Sequence, residues 1–460
     1  MTTASTTIAA RLDRLPKSRY IRRLIVLISL GGCFELYDLF FTAYIALGLF
    51  KSAIFTPTTK ALFGLEGFAS FVAALFAGLF VGTIVFSRLS DRFGRRSIFT
   101  FSLLWYSVCT LIMAFQSTAM AIDIWRFIAS VGIGVELVNI DTYVSELVPR
   151  ESRGRAFAFN QTIAFIAVPV VALISTLLVP ITVLGHDGWR WVVGIGSIGA
   201  VFIWFIRLGL PESPRWLAQR GRLAEADKVM TEMENKVRAE TGRELPPPRV
   251  VAGETEEKHG AWIEMWQGVY FGRTIMMSAY NFLQTIGYYG FATWVPTLLI
   301  QQGITVTKSL EYTFIIAIAN PFGPLLGQLF ADRIERKWQV AGAAIAIAVL
   351  GLIFSQQTTA AGIILLGILI TLANNVLSYS FHAYQAELYP TRIRAQAVGF
   401  VYSWSRFSAI FTGFIIAWVL GHYHVTGVFV FIAAAMILVF LIIAIFGPRT
   451  NQLRLEEIAR

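Results

Sequence analysis

The sequence predicts an all-α integral membrane protein of twelve transmembrane helices, arranged as two six-helix pseudo-symmetric halves. Three observations predict it. Of 460 residues, 56% are hydrophobic and only 14% are charged, too apolar a balance for an ordinary soluble protein. Twelve segments match the length of about 20 apolar residues that a membrane helix needs. They are 24–50, 68–88, 97–116, 121–146, 155–180, 190–210, 271–300, 310–331, 338–356, 361–388, 395–421 and 425–447. Finally, two unrelated motifs recur at one offset of 241 residues: Asp91-Arg92 with Asp332-Arg333, and Glu146-Leu147-Val148-Pro149 with Glu387-Leu388-Tyr389-Pro390. Arg153 and Arg394 follow the second motif at the same offset, so the chain reads as two copies of one module.

In lipid every backbone polar group must be satisfied within its own segment, so the spans are helices. The net charge of +10 is not a nucleic-acid footprint, because its distribution follows the loops. Arg and Lys crowd the N-terminus (Arg11, Arg14, Lys17, Arg19, Arg22, Arg23), the turns at 88–96 and 150–155, and the segment 207–273. The alternate loops hold few, among them Lys51, Lys60, Arg190 and Lys308, which puts both termini in the cytoplasm. Residues 1–23 read as a loose basic lead-in, 24–210 as the N-terminal half, 211–268 as a cytoplasmic linker with short helices, 269–447 as the C-terminal half and 448–460 as a tail. The first span is too long for the apolar region of a cleavable signal. Cys33 and Cys109 fall inside spans, so no disulfide framework is implied.

No metal-spaced His/Cys cluster, nucleophile elbow or phosphate loop lies in a suitable context, so no enzyme, cofactor or metal site is expected. The G-x-G-x-x-G at Gly194–Gly199 sits within an apolar span and reads as helix packing, since a dinucleotide fingerprint needs a preceding strand. No selectivity-filter repeat suggests a channel.

The stretch Ser87–Arg96 resembles the loop between helices 2 and 3 of the major facilitator superfamily, normally G-x-L-x-D-R-x-G-R-K/R. Ser87 replaces the first glycine, and Gln328 and Glu335 replace both in the second copy. Pro211–Leu217 resembles the P-E-S-P-R-W-L signature of sugar porters, and Arg126, Gly132 and Gly134 resemble the R-x5-G-x-G of helix 4 in sugar porters and metabolite:proton symporters. The resemblance covers nearly the whole chain. It implies the major facilitator fold and secondary transport by alternating access: a monomer in the cell inner membrane, handling a small-molecule substrate and protons, with no nucleic acid partner.

Glu35 and Asp38 lie three apart in the first span, on one face, with Asp38 about 20 Å along it. Carboxylates at a helix centre are costly, so they mark a proton or substrate site unless a cation fixes them for packing. Arg126 holds its charge, so its burial demands a carboxylate partner, and Asp38 is the candidate. The resemblance implies that this pair couples proton movement to transport, and it places a Glu at 136 in organic-acid relatives. Asp91, Arg92, Arg95, Glu146, Arg153, Asp332, Arg333, Glu387 and Arg394 sit at inner helix ends and read as gating ion pairs.

For substrate, the residue of most weight is Arg406, about 17 Å into its span with no carboxylate nearby in sequence. Such a cation invites an anion bound bidentately, or else pairs with Glu35 or Glu136. Tyr288 and Tyr289 supply flat area with hydroxyl handles, and Trp404, Gln284, His382 and Asn374 add polar and aromatic groups. The run from Tyr288 to Pro296 resembles organic-acid and niacin-type transporters. Gln161 matches a sugar-binding Gln of sugar porters, though helix-helix hydrogen bonding explains it equally. The expected function is proton-coupled symport of a small organic anion such as an aromatic or heterocyclic carboxylate. A sugar or polyol symporter is the alternative, and efflux of amphipathic cations is a remoter one, drawn by Glu35 and Glu136.

Overall fold

The computed structural model describes residues 2–450 except 57, 65, 150–152, 208, 249–261 and 331–333. Asp332 and Arg333 therefore lie outside the described residues, as do the side chains of Asp91, Arg92, Arg153 and Arg394. The first half runs α1 (Thr2–Asp13), α2 (Arg19–Lys51), α3 (Ala69–Phe93), α4 (Arg95–Ala114), α5 (Ala119–Leu147), α6 (Arg153–Phe165) and α7 (Ala167–Leu178). A small hairpin, β1 (Thr182–Val183) and β2 (His186–Asp187), precedes α8 (Gly188–Arg207). Then come α9 (Pro214–Gln219) and α10 (Leu223–Thr241). The second half runs α11 (Gly268–Ala292), α12 (Val295–Gln301), α13 (Val306–Ala317), α14 (Phe322–Phe330), α15 (Arg336–Phe354), α16 (Ala360–Glu387) and α17 (Thr391–Phe446).

Among the described residues the fold is helical apart from that hairpin and an isolated bridge between Lys60 and Glu66, and six stretches are long and apolar enough to cross a membrane. Twelve uniform spans are not what forms. The fifth breaks at Ile166, the seventh at Thr293–Trp294 and the eighth at 318–321, each just before a proline: Pro169, Pro296, and Pro321 with Pro324. Proline lacks the N–H that continues the helical ladder, and its ring clashes with the carbonyl four residues back. The eleventh and twelfth spans, both within α17, are two helices that meet at His424, whose φ 56 and ψ −167 are non-helical. The basic turn at 87–96 is also tighter than expected. Helix continues to Phe93, Gly94 alone breaks it at φ 100, and α4 starts at Arg95. Glycine is the residue that takes this conformation without strain.

The Gly196–Gly199 pair of the nucleotide-like motif is indeed a packing device. A Cβ on Gly196 would strike the Tyr37 ring, and one on Gly199 the Phe34 ring, so α8 lies close on α2. One large apolar core runs through both halves. A second unites the starts of α2 and α4 and the end of α5 with α1, α9 and α10.

The lead-in is not loose. Ile8, Leu12 and Leu15 are buried against the second core, which fixes one face of α1 on α9 and α10. Arg11 Nε donates to Glu234 Oε1 at 3.0 Å, Arg14 Nη2 donates to the same oxygen at 2.7 Å, and Arg215 pairs with Asp13 at 2.8 Å. Although burial pushes the Glu234 carboxyl up, the hydrogen bonds from Arg11 and Arg14 win and hold it below the usual range. Glu240 accepts the backbone N–H groups of Arg19 and Tyr20 at 2.8 Å each, capping the first turn of α2.

Candidate functional site

Helices α2, α4 and α5 assemble the first polar centre. Arg126 forms an ion pair through Nη1 with Asp38 Oδ1, and both side chains are sealed from solvent. Arg126 Nη2 donates to the Asp38 carbonyl at 2.8 Å and to Thr42 Oγ1 at 2.7 Å, while Thr110 Oγ1 donates to Asp38 Oδ2 at 2.9 Å. The guanidinium lies 4.6 Å over the Phe41 ring and 5.6 Å from that of Phe71. Every neighbour is thus arranged for a charged pair in a dry site, where removing either charge strands the other. Glu35 is buried one turn before Asp38. Glu136 is buried ten residues beyond Arg126, about 15 Å along α5.

The second centre lies on α11, α16 and α17. Arg406 is buried; its Nη1 donates to Tyr289 Oη at 2.8 Å and its Nη2 to Tyr402 Oη at 3.1 Å. Among the described residues it has no ion-pair partner at contact distance. Its hydrogen-bond partners are two neutral phenols, and Glu35 acts on it only at Coulombic range. Tyr288 meets Tyr289 edge-on at 5.1 Å, and Phe76 of the first half meets Tyr289 at 4.6 Å, so the cluster sits where the halves touch. His382 joins it with its ring 5.3 Å from Tyr402. Its Nδ1 lies 2.7 Å from the Ser378 carbonyl, which can only accept, so Nδ1 carries the proton and Nε2 is left as acceptor.

A cavity of about 40 Å³ adjoins this cluster at Tyr288, with Asn374, Asn375, Asn320 and Thr371 on one wall and Phe40, Tyr44 and Val168 of the first half on the other. The remaining candidates lie elsewhere. Gln284 donates to Thr285 Oγ1 at 3.3 Å and to Ser405 Oγ at 3.5 Å, in the packing of α11 on α17. Trp404 points to a separate apolar groove of about 340 Å³ with Trp266 and Phe400. On α6, Gln161 is exposed and its neighbour Asn160 is buried.

The gating residues that are described form two matched latches. Arg95 pairs with Glu146 at 3.2 Å and Arg336 with Glu387 at 2.8 Å; the side chains of Arg153 and Arg394, which follow the glutamates in sequence, lie outside the described residues. Tyr143 donates to the Pro211 carbonyl and Tyr384 to the Pro448 carbonyl at 2.8 Å, again 241 positions apart at the tyrosines. Glu212 accepts the backbone N–H groups of Arg95 at 3.0 Å and Arg96 at 3.1 Å, at the start of α4. Burial raises the Glu212 carboxyl above its ordinary value, against the pull of those N–H groups.

Sequence reasoning gave no site role to Tyr402, Thr110, Thr42, Asn320 or Glu212, and noted Asn375 only as part of a polar span and Arg336 only as the repeat of Arg95. Tyr402 was findable, because it stands four residues before Arg406 and so shares its helix face, whereas Trp404 does not.

Comparison with known proteins places these centres in context. The family model for sugar (and other) transporters matches residues 24–460. The chain is 32% identical over 443 residues to YyaJ of Bacillus subtilis (strain 168), to which metabolite transport is ascribed, covering 96% of each protein. It is 28% identical to the niacin transporter NiaP of Acinetobacter baylyi (strain ATCC 33305 / BD413 / ADP1), covering 98% of this chain and 99% of that one. Among solved structures, the partially occluded inward-open xylose transporter XylE from E. coli shares the fold with a TM-score of 0.73 at 20% identity, over 94% of this chain and 99% of that chain.

Proposed function

Because the chain belongs to the sugar (and other) transporter family of the major facilitator superfamily, and is a multi-pass membrane transporter and not an enzyme, we propose that it carries a small organic anion together with protons. The observation that carries this reading is Arg406: a buried guanidinium held by the hydroxyls of Tyr289 and Tyr402, with no carboxylate in contact among the described residues. An anionic substrate supplies the missing counter-charge bidentately. Tyr288 and Tyr289 offer it aromatic faces, and the niacin relative points to the same heterocyclic acid class.

Asp38 and Arg126 carry the proton step. Protonating Asp38 releases Arg126 from its counter-ion, and the freed pair changes which side the binding site faces. The latches Arg95–Glu146 and Arg336–Glu387 close the inner side while the halves rock about the site. In this reading the chain makes twelve crossings of the cell inner membrane as a monomer, with both termini cytoplasmic. Asp91, Arg92, Arg153, Asp332, Arg333 and Arg394 extend the inner gate, and Glu35 and Glu136 are further proton carriers.

The test is uptake by purified protein in inside-alkaline liposomes, across labelled aromatic acids, sugar acids and neutral sugars. Accumulation of an acid that collapses with a protonophore supports the reading. Accumulation of a neutral sugar alone overturns it in favour of sugar symport, the reading favoured by the fold shared with the xylose transporter.

A further inference from the structure

Beside the two latches the repeat contains an exchange of partners. Tyr143 donates to the Pro211 carbonyl and Tyr384 to the Pro448 carbonyl, so the segment 211–213 after the first half corresponds to 448–450 after the second. In the first half the carboxylate at this place belongs to that segment. Glu212 Oε1 accepts the backbone N–H of Ser213 at 2.9 Å together with those of Arg95 and Arg96, and a Cβ on Gly94 would run into its Oε2. In the second half the carboxylate comes from the other side of the contact. The counterpart of Glu212 is Arg449, which is exposed, and the counterpart of Gly94, 241 residues on, is Glu335. Glu335 Oε1 accepts the backbone N–H of Thr450, the counterpart of Ser213, at 2.8 Å, and Thr450 is buried. The same main-chain N–H thus meets a carboxylate oxygen in both halves, although the carboxylate has changed chain segments.

We infer that Glu335 is a positioning residue of the second inner latch, and that residues 448–450 are a strap which it fastens across that latch. The inference rests on the reading of Arg336–Glu387 as a gate. Glu335 immediately precedes Arg336, which pairs with Glu387 at 2.8 Å, and Tyr384 stands one turn before Glu387 on α16. One arm of the latch is therefore tied to the tail through Glu335 and the other through Tyr384. Releasing the strap frees the first turn of α15 from the last turn of α16. A hydrogen bond from a buried N–H to a carboxylate is among the stronger ones, and its loss leaves the Thr450 N–H without this acceptor.

The experiment follows the alkylation of a single cysteine on the inner face and, in a second variant, of one on the outer face, both in the full chain without Cys33 and Cys109. Glu335→Gly should raise the inner rate by about two- to tenfold, the range for one hydrogen bond net of water, and lower the outer rate. Arg449→Glu alone should also raise the inner rate, because it sets two carboxylates at one place. The double variant Glu335→Gly with Arg449→Glu rebuilds the first-half arrangement and should return both rates to their starting values. If the glycine variant folds poorly, Arg449→Glu against the double variant carries the same comparison. A double variant no slower at the inner face than Arg449→Glu, or a raised inner rate with the outer rate unchanged, would overturn the strap while leaving the latch. If Glu387→Gln leaves the inner rate unchanged, the latch is no gate and the strap falls with it.

Discussion

Arg336 bonds Glu387 at 2.8 Å, and 241 residues earlier Arg95 bonds Glu146 at 3.2 Å. Each latch ties the first turn of one helix to the last turn of another, α15 to α16 and α4 to α5, so the repeat in the sequence is also a repeat of contacts. Both pairs are only partly buried, with side-chain exposures of 10% and 14% in the first half and 19% and 22% in the second.

If the second latch holds the inner side closed, Glu387→Gln should raise the alkylation rate of a cysteine placed on the inner face, in a background without Cys33 and Cys109. Part-exposed pairs contribute about 0.5–1 kcal/mol, so the expected change is about two- to fivefold. The charge swap Arg336→Glu with Glu387→Arg should restore the original rate. Equal rates in all three proteins would remove the gating role.

Asp38→Asn strands Arg126 in a sealed site, at a cost of about 3–5 kcal/mol. The melting temperature should fall, and uptake should no longer concentrate substrate against a pH gradient. The double variant Asp38→Asn with Arg126→Gln should recover much of the melting temperature but none of the accumulation. Accumulation that survives either change would detach the pair from proton coupling.

Arg406→Gln should weaken transport of an anionic substrate by about ten- to a hundredfold in KM, since hydrogen bonds to charged groups contribute about 1.5–3 kcal/mol. Arg406→Lys should recover only part of this, because an ammonium cannot engage a carboxylate in the planar two-pronged way. Tyr402→Phe removes one of the hydroxyls that orient the guanidinium and should produce a smaller rise in KM, with protonophore sensitivity unchanged.

Docking of α1 depends on pH in a definite direction. The Glu234 carboxyl is held below its ordinary value of 4.5, so the contribution of Arg11 and Arg14 is full above that pH and fades as pH falls through the depressed value. Limited proteolysis should therefore cleave near the N-terminus faster below about pH 4 than at pH 6, and Glu234→Gln should cleave quickly at both. Equal protection of the wild-type chain across this range would contradict the docking.

The parts of this fold legible in the sequence are those that local rules carry. Two carboxylates in the first span and an arginine in the fourth demanded a pairing, and Asp38 meets Arg126. Arg406 stood out for the same reason, as a cation without a sequence neighbour. What sequence could not supply was the third dimension of a choice. Arg95 stands 51 positions before Glu146 in the chain and reaches it because α4 and α5 pack side by side. The hydrogen bonds from Asn375 to Asn320 and from Asn320 to the Ala317 carbonyl were hidden similarly, since two prolines had to break a helix before Asn320 could face α16. The docked lead-in was missed because a short basic segment with few large apolar side chains, Ile8, Leu12 and Leu15 among them, looks unstructured until the surface that covers it is known.

That lead-in also governs how the protein can be handled. Met230, Met233, Val237 and Ala226 of α10 are buried in the same core as Ile8 and Leu12 of α1 and Leu15 just after it. Trimming the first fifteen residues would uncover an oily, methionine-rich strip on a water-facing helix, the kind of surface that makes solubilised protein self-associate. A purification tag belongs ahead of Thr2 with the helix kept whole, and a shortened version should elute from a sizing column as aggregates where the full chain elutes as one sharp species.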